Sequence, residues 1–329
     1  MDTLGQEGRT FVGRGPGAAE ITAVTGRPAK EPIRVYAGRE SAESVPAVAN
    51  LVVAELDRTK AWERKVLAVN TTTGRGWVNQ NVASSIEYIE AGDTAIASMQ
   101  YSFLPSPLAF IADRESPQIA GRALFNAVFA RWIDLPVETR PKLVVFGESL
   151  GSYGGQNAFA GFQDMAARVD GGLWVGTPNF TPQWQEVTEA RDPDRPRSCP
   201  WWGRRFGAVR VGSRGPRSRH AVEAAQDRVL AARERPHRVV VAEPAVPRAR
   251  LAEGAAGPRR GPNMTWMPFV TFWQVTLDMV FSADVPAGHG HSYGPEAAGM
   301  WARILQPEGW SDEDTARVQA ALTGEGSAP

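Results

Sequence analysis

Gly147-Glu148-Ser149-Leu150-Gly151 is the pentapeptide of this chain best suited to do chemistry. It follows the apolar run Lys142-Leu143-Val144-Val145-Phe146 and opens a segment of small residues able to begin a helix. A G-x-S-x-G sequence between a strand and a helix makes a sharp turn in which the serine takes a strained conformation. The glycines two residues either side let strand and helix pass closely. The hydroxyl then stands at the carboxyl end of a sheet, where it can attack an acyl carbonyl once a base removes its proton. A glycine-rich turn with an ordinary serine is the alternative, and the apolar strand before it argues against that.

The base must be a histidine C-terminal to the serine, in the chain order serine, acid, histidine that accompanies such an elbow. Four histidines are present. His220 and His237 fall in a stretch of unusual composition, which leaves the glycine-rich loop Gly288-His289-Gly290-His291-Ser292-Tyr293-Gly294. His291 is the preferred base and His289 the alternative. A His-x-His metal site competes, but beyond Asp284 no third ligand lies nearby in sequence. Acyl transfer also needs donors aimed at the oxyanion. The backbone N–H of Leu150, directly after the nucleophile, is the first; Thr71 or Thr72, in the loop after an earlier strand, is the second. No metal or organic cofactor is implied, because this chemistry uses only side chains and water.

The elements that must hold these groups alternate. Strands are expected at 33–37, 65–70, 94–101, 143–146 and 172–175, and helices at 44–58, 82–90 and 119–132. Alternation over this much chain implies a mostly parallel sheet covered by helices on both faces. Thr71-Thr72-Thr73-Gly74-Arg75-Gly76 is a loop of small residues whose backbone can approach a ligand closely. Ser311 with Asp314 three residues on reads as a helix cap, followed by a helix to about residue 322. Residues 1–30, rich in Gly, Arg and Pro, read as an extended lead-in; 31–323 form the catalytic domain and 324–329 a tail.

The bulk properties bound the function. Among 329 residues, 36 Lys and Arg balance 36 Asp and Glu, so the whole chain has no net field to attract nucleic acid or acidic lipid. A single cysteine, Cys199, excludes an internal disulfide and a thiolate zinc site. Residues 1–9 lack the order of a secretory signal. The apolar run 266–283 contains Pro268, Gln274 and Asp278 and reads as a buried or amphipathic helix rather than a membrane span. The chain as written is therefore expected in the cytoplasm. Phe103, Leu104, Leu108, Phe110, Trp266, Phe269, Phe272 and Trp273 are candidates for an acyl pocket, with core packing as their other use.

Five segments taken together resemble an actinobacterial α/β-hydrolase family with an N-terminal membrane region. They are Arg34-Val35-Tyr36-Ala37-Gly38, Asn70-Thr71-Thr72-Thr73-Gly74-Arg75-Gly76-Trp77, Ser98-Met99-Gln100-Tyr101-Ser102, the Ser149 pentapeptide and the His289–His291 loop. The resemblance covers about residues 8–196 and 263–323. It implies the α/β-hydrolase fold and a serine esterase or lipase acting on a small-molecule or lipid ester. Membrane association is implied only through the transmembrane helices that usually precede the hydrolase domain in that family.

The family's acid lies in a pattern like Leu-Gln-His-x-Ser-Asp-Pro-Val-Val-Trp-Trp, and this chain departs from it. Residues 191–262 are dominated by Arg, Ala, Pro and Gly and contain no Ile, Tyr or Lys. Read one base later, codons for 228–242 permit Val-Tyr-Leu-Gln-His-Ala-Ser-Asp-Pro-Ile-Val-Trp-Trp-Trp, and those for 251–260 permit Trp-Leu-Arg-Glu-Pro-Arg-Gly-Pro-Asp-Val. A pair of compensating frameshifts altering about residues 197–262 explains both matches. The expected consequence is a missing triad acid and a catalytically impaired or silent remnant. Val239-Val240-Val241 can imitate the lost strand, however, which makes Glu243 the local substitute for the acid. A nucleic-acid-binding patch is the other reading of the arginines, and out-of-frame GC-rich codons account for the same bias without one.

Overall fold

The computed structural model describes residues 2–103, 113–178, 180–189, 239–241 and 294–325. Its centre is a six-stranded sheet in the order β1-β3-β2-β4-β5-β6, with every neighbouring pair parallel. The strands are β1 Ile33–Ala37, β2 Val66–Thr71, β3 Thr94–Met99, β4 Lys142–Glu148, β5 Gly171–Val175 and β6 Val239–Val241. Because all run the same way, Thr71 and Glu148 both lie at the carboxyl edge of the sheet, and Thr71 pairs in register with Gly147.

Alternating residues feed two cores, as the two-residue period of a strand requires. Leu67, Val69, Leu143 and Val145 face one side, where α3 (Val45–Arg58) and α5 (Glu115–Ile133) supply Val52, Leu56, Leu124 and Val128. Val66, Ala68, Val144 and Phe146 face the other, against α4 (Gln80–Ile89) and α9 (Glu296–Leu305). There Trp301 meets Phe146 edge-on at 6.0 Å and donates its indole N–H to the Val82 carbonyl at 3.1 Å. The remaining helices are α1 Gly5–Gly13, α2 Ala18–Thr25, α6 Leu150–Gln156, α7 Phe162–Arg168, α8 Pro182–Glu189 and α10 Asp312–Glu325.

Helix starts follow local chemistry. Ser44 Oγ accepts from the Ala47 N–H at 3.3 Å ahead of α3, and Asn79 Oδ1 accepts from the Val82 N–H at 3.1 Å ahead of α4. At α10 the expected reciprocal cap forms: Ser311 Oγ accepts from the Asp314 N–H at 3.1 Å, and Asp314 Oδ2 accepts from the Ser311 N–H at 2.8 Å.

The extended lead-in expected over 1–30 is corrected. Residues 5–13 and 18–25 are helical, and Phe11 and Ile21 are fully buried. Phe11 packs on Tyr36 of β1, with ring centroids 6.0 Å apart, and Ile21 joins Tyr88, Val318 and Leu322 in a separate small core. The strand expected to reach residue 101 stops at Met99, after which Gln100 turns its side chain to hold the Arg75 and Ser102 carbonyls, each at 3.0 Å.

Candidate active site

Ser149 occupies the single residue between β4 and α6. Its φ of 53° and ψ of −120° lie where L side chains rarely go, a conformation that costs on the order of 1–3 kcal/mol and persists only when the surroundings enforce it. The enforcement is visible. The Ser149 N–H donates to the Val175 carbonyl at 2.9 Å, and the Ser149 carbonyl accepts from the Tyr153 N–H at 3.1 Å. A β-carbon on Gly147 would come 2.7 Å from the Gly151 carbonyl, so the strand and the helix can fold back on each other only because a side chain is missing. Ser149 is partly exposed while both of its neighbours are buried.

Leu150 begins α6 beside Ser149 and packs with Tyr153 and Phe180. Thr71 and Thr72 are buried at the end of β2, and Gly151 lies directly against their carbonyls. Three ties fix this loop. Thr72 Oγ1 donates to the Met99 carbonyl at 2.9 Å, Tyr36 donates to the Gly76 carbonyl at 2.8 Å, and Gln100 holds the Arg75 carbonyl. The expected oxyanion loop and the elbow are therefore in contact. His289, His291 and Glu243 lie outside the described residues, as do Asp284, Cys199 and, among the acyl-pocket candidates, Leu104, Leu108, Phe110, Trp266, Phe269, Phe272 and Trp273. Phe103 is described and is 61% exposed.

Two features of the site escaped the sequence reading. Beneath the elbow helix, the Ser152 and Thr177 hydroxyls hydrogen-bond each other, and Gln156 Nε2 donates to both, at 2.9 and 3.2 Å. This buried network ties α6 to the turn after β5. The second is Glu148, which is buried and accepts from Asn79 Nδ2 at 2.7 Å; burial pushes its carboxyl up to about 8 against the opposing pull of the Asn79 amide. The signal for Glu148 was an acidic residue inside an otherwise apolar elbow. Asn79 is 69 positions away in sequence and could not be assigned to it.

The backbone of β6 pairs with β5 in parallel, Val239 opposite Gly172 and Val241 opposite Trp174. The valine run thus extends the sheet beside β5, as expected of a strand substitute. Among the described residues no group of three or more His, Cys, Asp or Glu is placed to hold a metal, and no helix is long and apolar enough to cross a membrane.

Comparison with curated proteins and with solved structures gives no match. A family model described as the alpha/beta-hydrolase family matches residues 33–318, from β1 into α10. Elbow, strand order and matched span agree, and the chain belongs to the alpha/beta-hydrolase family.

Proposed function

We propose that the chain is a serine hydrolase of the esterase or lipase type, cleaving a carboxylic ester through an acyl-enzyme on Ser149. The observation that carries this reading is the left-handed backbone of Ser149 at the carboxyl edge of a parallel sheet. An ordinary turn serine has no reason to hold that strain.

In this reading Ser149 Oγ attacks the ester carbonyl carbon as His291, or His289, takes the hydroxyl proton. The tetrahedral oxyanion receives hydrogen bonds from the Leu150 N–H and from the Thr71–Thr72 loop, whose contact with Gly151 supports that role. Collapse of the intermediate expels the alcohol, which takes the proton from the histidine. Water then repeats the sequence on the acyl-enzyme and releases the acid. Glu243 follows β6 by two residues in sequence, and the alignment of β6 with β5 supports it as the group that orients the histidine.

The Arg/Ala/Pro/Gly composition of 197–262 favours a second reading, a hydrolase-fold remnant without a working acid. Loss of that acid from a serine triad costs about four orders of magnitude in kcat. Labelling with a fluorophosphonate probe separates the two. Labelling abolished by Ser149→Ala is expected of the hydrolase, and a folded chain that does not label is the remnant.

A further inference from the structure

Among the described residues, little is placed to neutralise the Glu148 carboxyl. Only 8% of its surface is exposed, and Asn79 Nδ2 supplies a neutral donor to Oε2 at 2.7 Å. The other end of the same amide caps α4, through Oδ1 and the Val82 N–H at 3.1 Å. Glu148 also lines a small cavity with Asn70, Thr71, Trp77 and Phe146, and among the described residues lining it Glu148 alone is ionisable. Its side chain therefore shares a space with the loop that the hydrolase reading assigns to the oxyanion.

No cation is placed to compensate it among the described residues. β2 and β5 carry no charged side chain. On α6, the Tyr153 hydroxyl accepts from Gln118. In the loop before α4, Arg75 pairs with Glu7 at 3.8 Å; on α4 itself, Glu87 pairs with Arg34 at 2.6 Å and Tyr88 donates to Glu20 at 2.5 Å. On α9, Glu296 accepts from the Gly294 N–H at 3.1 Å, and Arg303 lies in the last turn. An ionised carboxylate buried against a single neutral amide is costly. Beside an acyl-transfer site it would also oppose the negative charge that develops on the carbonyl oxygen.

We propose that Glu148 is a positioning residue that acts as an uncharged acid. Latched to Asn79, it ties the last residue of β4 to the start of α4 and keeps negative charge out of the cavity shared with Thr71, so that ionising it disables Ser149. The proposal rests on the serine hydrolase reading above. Burial, which raises the carboxyl to about 8, sets where the loss begins.

The test is the rate of fluorophosphonate labelling as a function of pH. From about pH 7 to about pH 9 the wild-type rate falls about ten-fold, following the neutral fraction of a group titrating near 8. Glu148→Gln can still accept from Asn79 and cannot ionise; whatever its rate at neutral pH, the ratio between the two pH values is near one. Asn79→Ser keeps an oxygen to cap α4 and loses the amide donor that favours the charged form, so its fall moves to higher pH. A fall in Glu148→Gln equal to that of the wild type overturns the proposal, as does an unmoved fall in Asn79→Ser, which alone decides if Glu148→Gln does not fold. Wild-type labelling that is flat across this range overturns the role of Glu148 and leaves the hydrolase reading intact. Absence of labelling at every pH overturns both.

Discussion

Gly151 lies so close to Thr71 that a β-carbon on the glycine would stand 2.1 Å from the Thr71 carbonyl oxygen. The same atom would come 2.8 Å from the Thr72 carbonyl oxygen, and both belong to backbone that cannot swing aside. Gly151→Ala must therefore push the elbow helix away from the loop. A misplacement of about 1 Å at a reacting centre costs on the order of a hundred-fold. The expected outcome is that loss in fluorophosphonate labelling, with a drop of about 2–4 kcal/mol in urea unfolding.

Arg34 and Glu87 form a paired, two-bond ion pair inside the protein, Nε to Oε1 at 2.7 Å and Nη2 to Oε2 at 2.6 Å, with side-chain exposures of 4% and 0%. Arg34 also donates to the Phe11 carbonyl at 2.7 Å, which ties α1 to β1. Removing one charge strands the other in an apolar setting. Arg34→Met is expected to cost about 3–5 kcal/mol, and adding Glu87→Leu to recover most of it, since a buried pair is worth little more than an apolar replacement. Urea titration of both variants checks the order.

Stability should also report Glu148. The folded chain holds this proton up to about 8, whereas the ordinary value is 4.5. The unfolded chain therefore binds fewer protons between those values, and linkage makes stability fall as pH rises through that window. The contribution is fully present below about 4.5 and gone above about 8. Urea midpoints are expected to decline across the window in the wild type and to decline less in Glu148→Gln.

Residues of the first two helices carry core weight. Phe11 and Ile21 are both fully buried. Phe11→Ala is expected to cost about 3–5 kcal/mol and Ile21→Ala about 2–5 kcal/mol, against a near-zero effect for an exposed lead-in. Thermal melts of the two variants distinguish these outcomes.

The frameshift reading of residues 197–262 makes a genetic prediction. Translating the second frame across about residues 197–262 supplies an Ala-Ser-Asp-Pro segment, and the chain so restored is expected to label faster by orders of magnitude if Glu243 does not replace the acid. Equal labelling of the two chains points instead to Glu243. Sequencing the gene adds an independent check, because an unbroken frame that encodes the present chain removes sequencing error as the origin.

Much of the sheet was legible because parallel strands buried on both faces read as continuous apolar runs, such as Leu143 to Phe146, bounded by small-residue loops. The elbow was legible for a related reason: its residues are adjacent, so spacing alone carries the geometry. The first helices were not. The α1 sequence Gly-Gln-Glu-Gly-Arg-Thr-Phe-Val-Gly includes three glycines and few apolar residues, and its helicity depends on a partner, Tyr36, that only the fold supplies. Pairing of Glu148 with Asn79 was hidden for the same cause, since each residue has an adequate local explanation by itself.

Strands β1 to β5 are drawn from residues 33–175, and β6 from 239–241. During synthesis the ribosome therefore delivers five strands, the elbow and the Thr71 loop before residues 197–262 leave the exit tunnel. β6 is the last of the six strands in the chain and lies at the edge of the sheet beside β5. Helix α9, which brings Trp301, Ile304 and Leu305 against Val144 and Phe146, is made after that stretch, so one face of the sheet waits for the last part of the chain to be covered.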